Sequence, residues 1–466
     1  MNAYYDFLKT KAKAASSCGF TVSTDDLNEY LFHWQKDVVR WSLIKGRSAL
    51  FEDTGLGKSI QQLVWADEVV KHTGGAVMIY APLSVAYQTQ REGAKFGITS
   101  KVVRQQSEVE TGINIANYDI LDHFDASIFS GVVLDESSIL KNFSSKTKQF
   151  IIDNYKNVPY RLACTATPAP NDYMELGNHA EFLGVMTRSE MLSTFFVHDG
   201  SDTAKWRLKG HAEQKFWEWI ASWACVLKTP GDLGYPADGY ILPELKIYQH
   251  TVESKSFIDG AGQHLMFANV AQTLNERRAA RRNSITDRVK KAAEIANSSD
   301  EQVLIWCDLN SESESLAKCI NGAVEVKGAD TTEHKTQSIL DFVSGKIKAI
   351  ISKSSIYGFG INLQNCHRII FVGLSDSFEE FYQAVRRCWR FGQSLPVEVH
   401  IITSEAEGAV KQNIERKQKD AERMTFEMVK HTKDILKSEI HHTVRISESY
   451  IATEKMIIPS WVEVAA

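Results

Sequence analysis

No run of about 18 apolar residues occurs in this 466-residue sequence, so it offers no candidate membrane-spanning helix. The amino terminus, MNAYYDFLKTKAKAASS, lacks the apolar core of a secretory signal. Cysteine is sparse and scattered. The seven, at positions 18, 164, 225, 307, 319, 366 and 388, include no close pair and make an odd total, which argues against a disulfide framework and a zinc site. They read as core residues in a reducing compartment. An excess of positive charge is also missing: the net charge is −5, so any nucleic-acid contact has to come from a local cluster. There is no low-complexity tract, and no internal repeat beyond a two-lobe pattern. These absences describe a soluble, cytoplasmic protein with no membrane partner.

An apolar fraction of 43% and a charged fraction of 24% predict a chain that folds without extensive disorder. It is too long for one core, because single cores stop growing at roughly 250 to 300 residues. Short β-branched runs alternate with longer segments of helical period, the pattern of parallel sheets covered by helices. The clearest strands are VMIYAP (77–82), VVLDE (132–136) and RLACTATP (161–168), and, after a gap, VLIWCD (303–308), IKAIISK (347–353), RIIFVGL (368–374) and VEVHIIT (397–403). The fold class is therefore α/β, with two parallel-sheet lobes and helical insertions between them. The expected boundaries are an N-terminal extension 1–25, a first lobe 26–185, insertions and connection 186–295, a second lobe 296–440 and a tail 441–466. GDLGYPADG (231–239) reads as a turn-rich loop, with a strand after it leading into the second lobe. The charged helix from Ala409 to about Leu436 reads as a solvated surface brace.

SALFEDTGLGKSIQQLVWA reads as an apolar strand, a glycine-containing turn and a helix opening on Lys58 and Ser59. Phosphate binding needs inward backbone N–H groups, a helix N-terminus aimed at the anion, a lysine for the β and γ phosphates and a hydroxyl for Mg²⁺. Thr54, Gly55, Leu56, Gly57, Lys58 and Ser59 supply this for ATP, although Glu52 stands where the general pattern wants glycine. The partner acid follows in VVLDE, whose apolar run ends on Asp135 and Glu136, as a parallel strand surfacing at its carboxyl end does. With Ser59, Asp135 is expected to hold Mg²⁺; Glu136 is expected to orient and deprotonate the attacking water.

At this point the chain, over roughly residues 28 to 430, resembles a superfamily 2 helicase, most of all the SNF2-type translocases and their compact phage or bacterial relatives. DTGLGKS is similar to DEMGLGKT, in which the missing first glycine is normal. The resemblance implies two tandem RecA-like lobes and a DNA-dependent ATPase. LFHWQKDVVRWSL is similar to the segment whose glutamine recognises adenine, which implies that role for Gln35. DESSILKN resembles the DEAH segment and its trailing Lys-Asn, here Lys141 and Asn142, with Ser138 in the place of the histidine. TATPAPNDYMEL is similar to the segment that links nucleotide state to lobe movement, matching Thr165, Thr167 and Asn171. APLSV and ANYDIL resemble first-lobe segments that touch the nucleic-acid backbone, which implies contacts from Pro82, Ser84, Asn117 and Tyr118. YGFGINLQNCHRIIF resembles GLGINLTAADTVI and carries Gly358, Gly360 and Asn362. SDSFEEFYQAVRRCWRFGQ is similar to QAxxRxxRIGQ and matches Gln383, Arg387, Arg390, Gly392 and Gln393. The two arginines, three apart, are expected on one helical face, reaching across the cleft to the transferring phosphoryl group.

Half a site on each lobe is the layout of a motor: ATP favours closure and hydrolysis releases it. A basic surface is expected at Arg277, Arg278, Arg281, Arg282, Arg288, Lys290 and Lys291. Duplex or branched DNA is the expected partner, RNA less so, with replication, repair or restriction proteins as further partners. A strand-separating helicase and a nucleotide-switched scaffold without turnover stay open as alternatives.

Overall fold

The computed structural model describes residues 15–82, 85–141, 145–169, 172–199, 202–252, 257–258, 264–265, 281–357, 362–374, 377–405 and 408–445. Two all-parallel sheets dominate it. The first has seven strands in the order β3-β4-β2-β5-β6-β1-β9: β1 Arg47–Glu52, β2 Ala76–Ala81, β3 Ser100–Val102, β4 Gly112–Asn117, β5 Phe129–Asp135, β6 Tyr160–Cys164 and β9 Ala224–Leu227. The second has six, in the order β10-β17-β16-β13-β15-β14: β10 Leu245–Val252, β13 Val303–Cys307, β14 Ala323–Val326, β15 Ala349–Ser352, β16 Arg368–Val372 and β17 Val397–Ser404. A hairpin of β7 Phe196–Asp199 and β8 Asp202–Leu208 lies outside both sheets, as does the short pair β11 Phe257–Ile258 and β12 His264–Leu265.

The apolar runs follow from burial on both faces of each sheet. Alternate side chains of β2 enter opposite cores: Met78 and Tyr80 one, Val77 and Ile79 the other. In β13, Leu304 and Trp306 face one core of the second lobe, and Val303, Ile305 and Cys307 the other. These are two RecA-like lobes, each a parallel sheet between helices.

The connection joins the sheets by strands as well as helices. β9 pairs with β1 in register Ala49↔Ala224, so the first sheet extends past residue 185. β10 pairs with β17 along its whole length, so the second sheet takes its edge strand from before residue 296. The helix Gly408–Arg445 is not simply a solvated brace: Met424, Met428, Val429, Leu436 and Ile440 are buried in the cores of the first lobe. Four-residue spacing puts most of these on one stripe, while Lys430, Lys433, Asp434 and Lys437 between them are exposed and Glu439 pairs with Lys45. Of the seven cysteines, five are buried, and Cys18 and Cys319 are exposed. No described helix is long and apolar enough to cross a membrane.

Candidate active site

Three strand ends of the first sheet converge here. In the sheet order β6 lies between β5 and β1, so the segment after β6 separates the acid pair from the glycine loop after β1. The loop turns through Gly55 and Gly57, at φ 92° and 79°, a region that side chains rarely adopt. Gly57 caps the helix Lys58–Thr73 without any side-chain hydrogen bond, so the N–H groups of its first turn are left for a ligand. Lys58 Nζ donates to the Glu52 and Asp53 carbonyls, at 2.7 and 3.1 Å. Ser59, beside it, is half-buried.

Gln35 reaches this loop from the helix His33–Lys45. Its Nε2 donates to the Leu56 carbonyl at 2.8 Å and its Oε1 accepts from the Phe32 N–H at 3.0 Å. The amide thus ties the loop, at Leu56, to the N-cap of its own helix, at Phe32.

Asp135 and Glu136 lie at the carboxyl end of β5, close enough to Lys58 to feel its charge. Glu136 has φ 54°, making it the one non-glycine residue with positive φ among those described. Such strain costs of order 1–3 kcal/mol and gathers at functional sites. Burial, then the Glu136 charge, pushes Asp135 up to about 7, against the pull of Gln62 and Lys58. Burial also raises Glu136, against Lys58 and the Arg387 guanidinium. Its Oε2 is buried without a hydrogen-bond partner, as is Oε1 of Gln383. Buried Asp135 beside half-buried Glu136, an orphaned oxygen and an uncapped helix end fit a divalent cation bound with a polyphosphate.

The second lobe completes the cleft, though not from a helical face. The helix Phe378–Val385 ends before the arginines, which lie in the turns that follow. Gln393 Nε2 ties this turn to the Gln364, Cys366 and Cys388 carbonyls, and the Arg387 carbonyl accepts from Leu363 N–H at 2.9 Å. Arg387 is buried and faces the acid pair; burial pushes it down to about 10 although Glu136 and Asp135 pull upward. Arg390 lies beside the glycine loop, its Cβ 3.9 Å from where a Cβ on Gly55 would sit, and feels Glu92. The two arginines thus meet different partners.

Several residues here were not singled out by the sequence reading. Arg386 pairs with Asp53 at 3.0 Å, donates to the Thr54 carbonyl at 2.7 Å and bonds the Thr54 hydroxyl. Tyr382 Oη donates to Asp53 at 2.8 Å. Glu379 pairs with Lys141 and accepts from Thr167 Oγ1 at 3.3 Å. The second lobe therefore grips the loop, the acid segment and the segment after β6 together. Where a histidine was missing at Ser138, buried His179 meets the neighbouring residue, its Nε2 3.1 Å from Ser137 Oγ. The adjacency of Arg386 to Arg387 was the available signal for the loop contact. The others come from distant segments and left none.

Other expectations change. Arg281 pairs with Asp308 and donates to the Leu374 carbonyl; Arg288, with no exposed surface, pairs with Glu312 at 2.6 Å. Their seven-residue spacing sets them on one face, but that face turns inward to acids and carbonyls. Of the basic cluster, Arg282 and Lys290 are exposed; Lys291 is half-buried and paired with Glu294 at 3.3 Å. Tyr118 Oη is turned inward to the Asp135 carbonyl at 2.7 Å, and Asn117 Oδ1 accepts from Asp119 N–H at 2.9 Å. Pro82 is half-buried; Asn362 is exposed and bonded to Gln364. Ser84, Asn142, Asn171, Arg277, Arg278, Gly358 and Gly360 lie outside the described residues.

Glu52 carries a pH dependence. It is fully buried, accepts from Gln61 Nε2 at 2.7 Å and is pushed by burial up to about 7. Folding favours its protonated form. Its contribution is present below the ordinary value of 4.5 and is lost as pH rises through about 7. Glu52→Gln is therefore expected to melt higher than the wild-type chain at pH 8, with a stability gain on the order of 3 kcal/mol, and to lose that advantage towards pH 5. Thermal unfolding across this range checks it; a pH-independent difference would remove Glu52 as the cause.

Residues 34–196 match the SNF2-related domain, and residues 286–392 match the Helicase conserved C-terminal domain. The SWI/SNF-related matrix-associated actin-dependent regulator of chromatin subfamily A-like protein 1 of Xenopus tropicalis is 27% identical over 161 residues, which is 32% of this chain and 17% of that protein. Helicase SWR1 of Yarrowia lipolytica is 29% identical over 162 residues, 30% of this chain and 9% of that protein. These matches span under a fifth of either relative. A structure of the Sulfolobus solfataricus SWI2/SNF2 ATPase core in complex with dsDNA aligns over 91% of this chain and 97% of that one, at 18% identity and a TM-score of 0.43. With both domains present in this order, one on each parallel-sheet lobe, the chain belongs to the SNF2-like superfamily 2 helicases.

Proposed function

We propose that the chain is a nucleic-acid-dependent ATPase that couples ATP hydrolysis to movement on, or remodelling of, duplex or branched DNA. One observation carries this reading: the second lobe closes on the loop, with Arg386 paired to Asp53 at 3.0 Å, and brings Arg387 near enough to the acid pair for their charges to act on it, as Lys58 does from the first lobe. A site split in this way makes its chemistry depend on lobe closure.

The roles follow from that layout. The loop N–H groups and Lys58 bind the phosphates, while Ser59 and Asp135 would hold Mg²⁺. When bound, the ion neutralises charge developing on the phosphate oxygens. Glu136, its affinity for protons raised by burial, takes the proton of the attacking water. Arg387 supplies positive charge to the phosphoryl group from across the cleft. Loss of the γ-phosphate removes the anion that both lobes share, and the cleft relaxes. Contacts by Asp53, Thr54 and Glu379 pass each relaxation to the second lobe. A grip on DNA phosphates would convert the cycle into movement, weakly dependent on sequence and strongly on salt. Exposed Arg282 and Lys290 are available to such a grip.

Hydrolysis measured with single-stranded, duplex, forked or four-way DNA and with RNA tests the proposal. Stimulation by duplex or branched DNA that fades with added salt is expected. Stimulation by RNA alone would overturn the substrate; no turnover above a Glu136→Gln control with any nucleic acid would replace the motor by a switched scaffold.

A further inference from the structure

The outward face of the helix Gly408–Arg445 carries a charge pattern that the ATP site does not use. Between Arg416 and Lys437 the helix holds seven Lys or Arg against four Asp or Glu, in a chain whose net charge is −5. The cations are not spread around the axis. At about 100° per residue, Arg416, Lys419, Arg423, Lys430, Lys433 and Lys437 fall within one arc about 100° wide, opposite the stripe that buries Met424, Met428 and Leu436. All six are exposed, and Lys417 alone lies off the arc. Phe426 interrupts the row, 57% exposed, with the Lys430 ammonium 6.0 Å from its ring centre. At 1.5 Å per residue the row is about 32 Å long.

Contacts of the inner face hold the row in place. His431 stacks on Trp217 at 5.3 Å, Glu439 accepts from Trp41 Nε1 at 3.1 Å and pairs with Lys45 at 2.9 Å, and Ala421 packs against a core of the second lobe. The row therefore starts beside the second lobe and runs out along the first. Nearby acids do not cancel it. Asp420 pairs with Arg416 at 3.3 Å and Arg423 at 3.8 Å, and Glu427 with Lys430 at 3.1 Å, but exposed pairs of this kind hold little energy and yield readily to a stronger anion. Asp434 sits at the edge of the arc.

We infer that this row is a second nucleic-acid surface, along which the backbone phosphates of duplex DNA lie. It rests on the DNA reading above. A duplex presents one negative charge per roughly 1.7 Å and gains affinity by releasing counterions to a row of cations. Charge of one sign, evenly stepped along a rigid rod, matches that partner. A lipid surface would need an apolar face to enter, and here that face is buried in the first lobe, leaving Phe426 alone outside. Contacts of this sort read no sequence. Of this helix, Ala421, Glu422, Thr425 and Met428 line the cavity behind the glycine loop, and no member of the row does. The row thus holds the duplex in every nucleotide state, while the cleft opens and closes beside it.

Fluorescence anisotropy of a labelled duplex, titrated with the full chain over a series of salt concentrations, reads the row. In a variant carrying Arg423→Gln, Lys430→Gln and Lys433→Gln, the slope of log K against log salt is expected to fall in magnitude by about 0.9 per residue, about 2.7 in all. The DNA concentration for half-maximal stimulation of hydrolysis should rise, with basal and maximal rates unchanged. Lys430→Arg with Lys433→Arg, which keeps the charge, should retain the wild-type slope. An unchanged slope in the triple glutamine variant would overturn the surface. So would loss of binding to polyglutamate or to phosphatidylserine vesicles with duplex binding intact, which would assign the row to an acidic protein segment or a membrane. Wild-type protein that binds no nucleic acid at all would overturn the DNA reading itself.

Discussion

Glutamine at position 136 is expected to cut ATP turnover by about 10²- to 10⁴-fold, the usual contribution of a positioned general base, while nucleotide still binds. The substitution keeps the shape of the side chain and removes its capacity to take a proton. The site gives this group unusual prominence. Glu136 has strained backbone, its Oε2 is buried without a partner, and its affinity for protons is raised by burial. In the proposed mechanism phosphate binding falls to different groups, the loop N–H groups and Lys58. Removing one of two adjacent carboxylates also relieves the repulsion that helps push Asp135 up to about 7. Nucleotide affinity should thus hold or tighten as turnover falls. Phosphate release and equilibrium binding on the same variant check both halves, and turnover within about threefold of wild type would exclude Glu136 as the base.

Loss of Arg387 is expected to cost about 10³- to 10⁵-fold in kcat with little change in KM, the range and signature of an arginine that acts on the transition state. Its guanidinium is buried and faces Glu136 across the cleft. Lysine should not restore the rate, because an ammonium lacks the planar fork. Arg386 provides the contrast. It is bound to Asp53 and Thr54 of the loop, so Arg386→Ala should chiefly raise KM. Steady-state kinetics on Arg387→Ala, Arg387→Lys and Arg386→Ala test the division. A larger kcat loss at Arg386 than at Arg387 would exchange their roles.

The local parts of this machine were readable from the chain. Gly55 and Gly57 occupy the backbone region that the loop requires, and the VVLDE run surfaces on its two acids at the end of β5. The strands were legible because each is buried on both faces, which leaves an uninterrupted apolar run. The basic cluster was legible only as a periodicity. A seven-residue interval places Arg281 and Arg288 on one side of a helix but cannot say whether that side meets water or acids.

The sequence by itself determined the two-lobe α/β architecture, the glycine turn between strand and helix and the placing of two acids at the end of β5, because these depend on short-range patterns and on glycines with few alternatives. Tertiary structure decided what those pieces meet. It turned Arg288 onto Glu312, brought the C-terminal helix back to the first lobe and added β9 to the first sheet. It also ended a helix before Arg387, set Arg386 on the loop and joined Tyr240 to Phe391 beside it. Such contacts pair residues far apart in the chain. Burial and charge complementarity select them only once both partners have a fixed position.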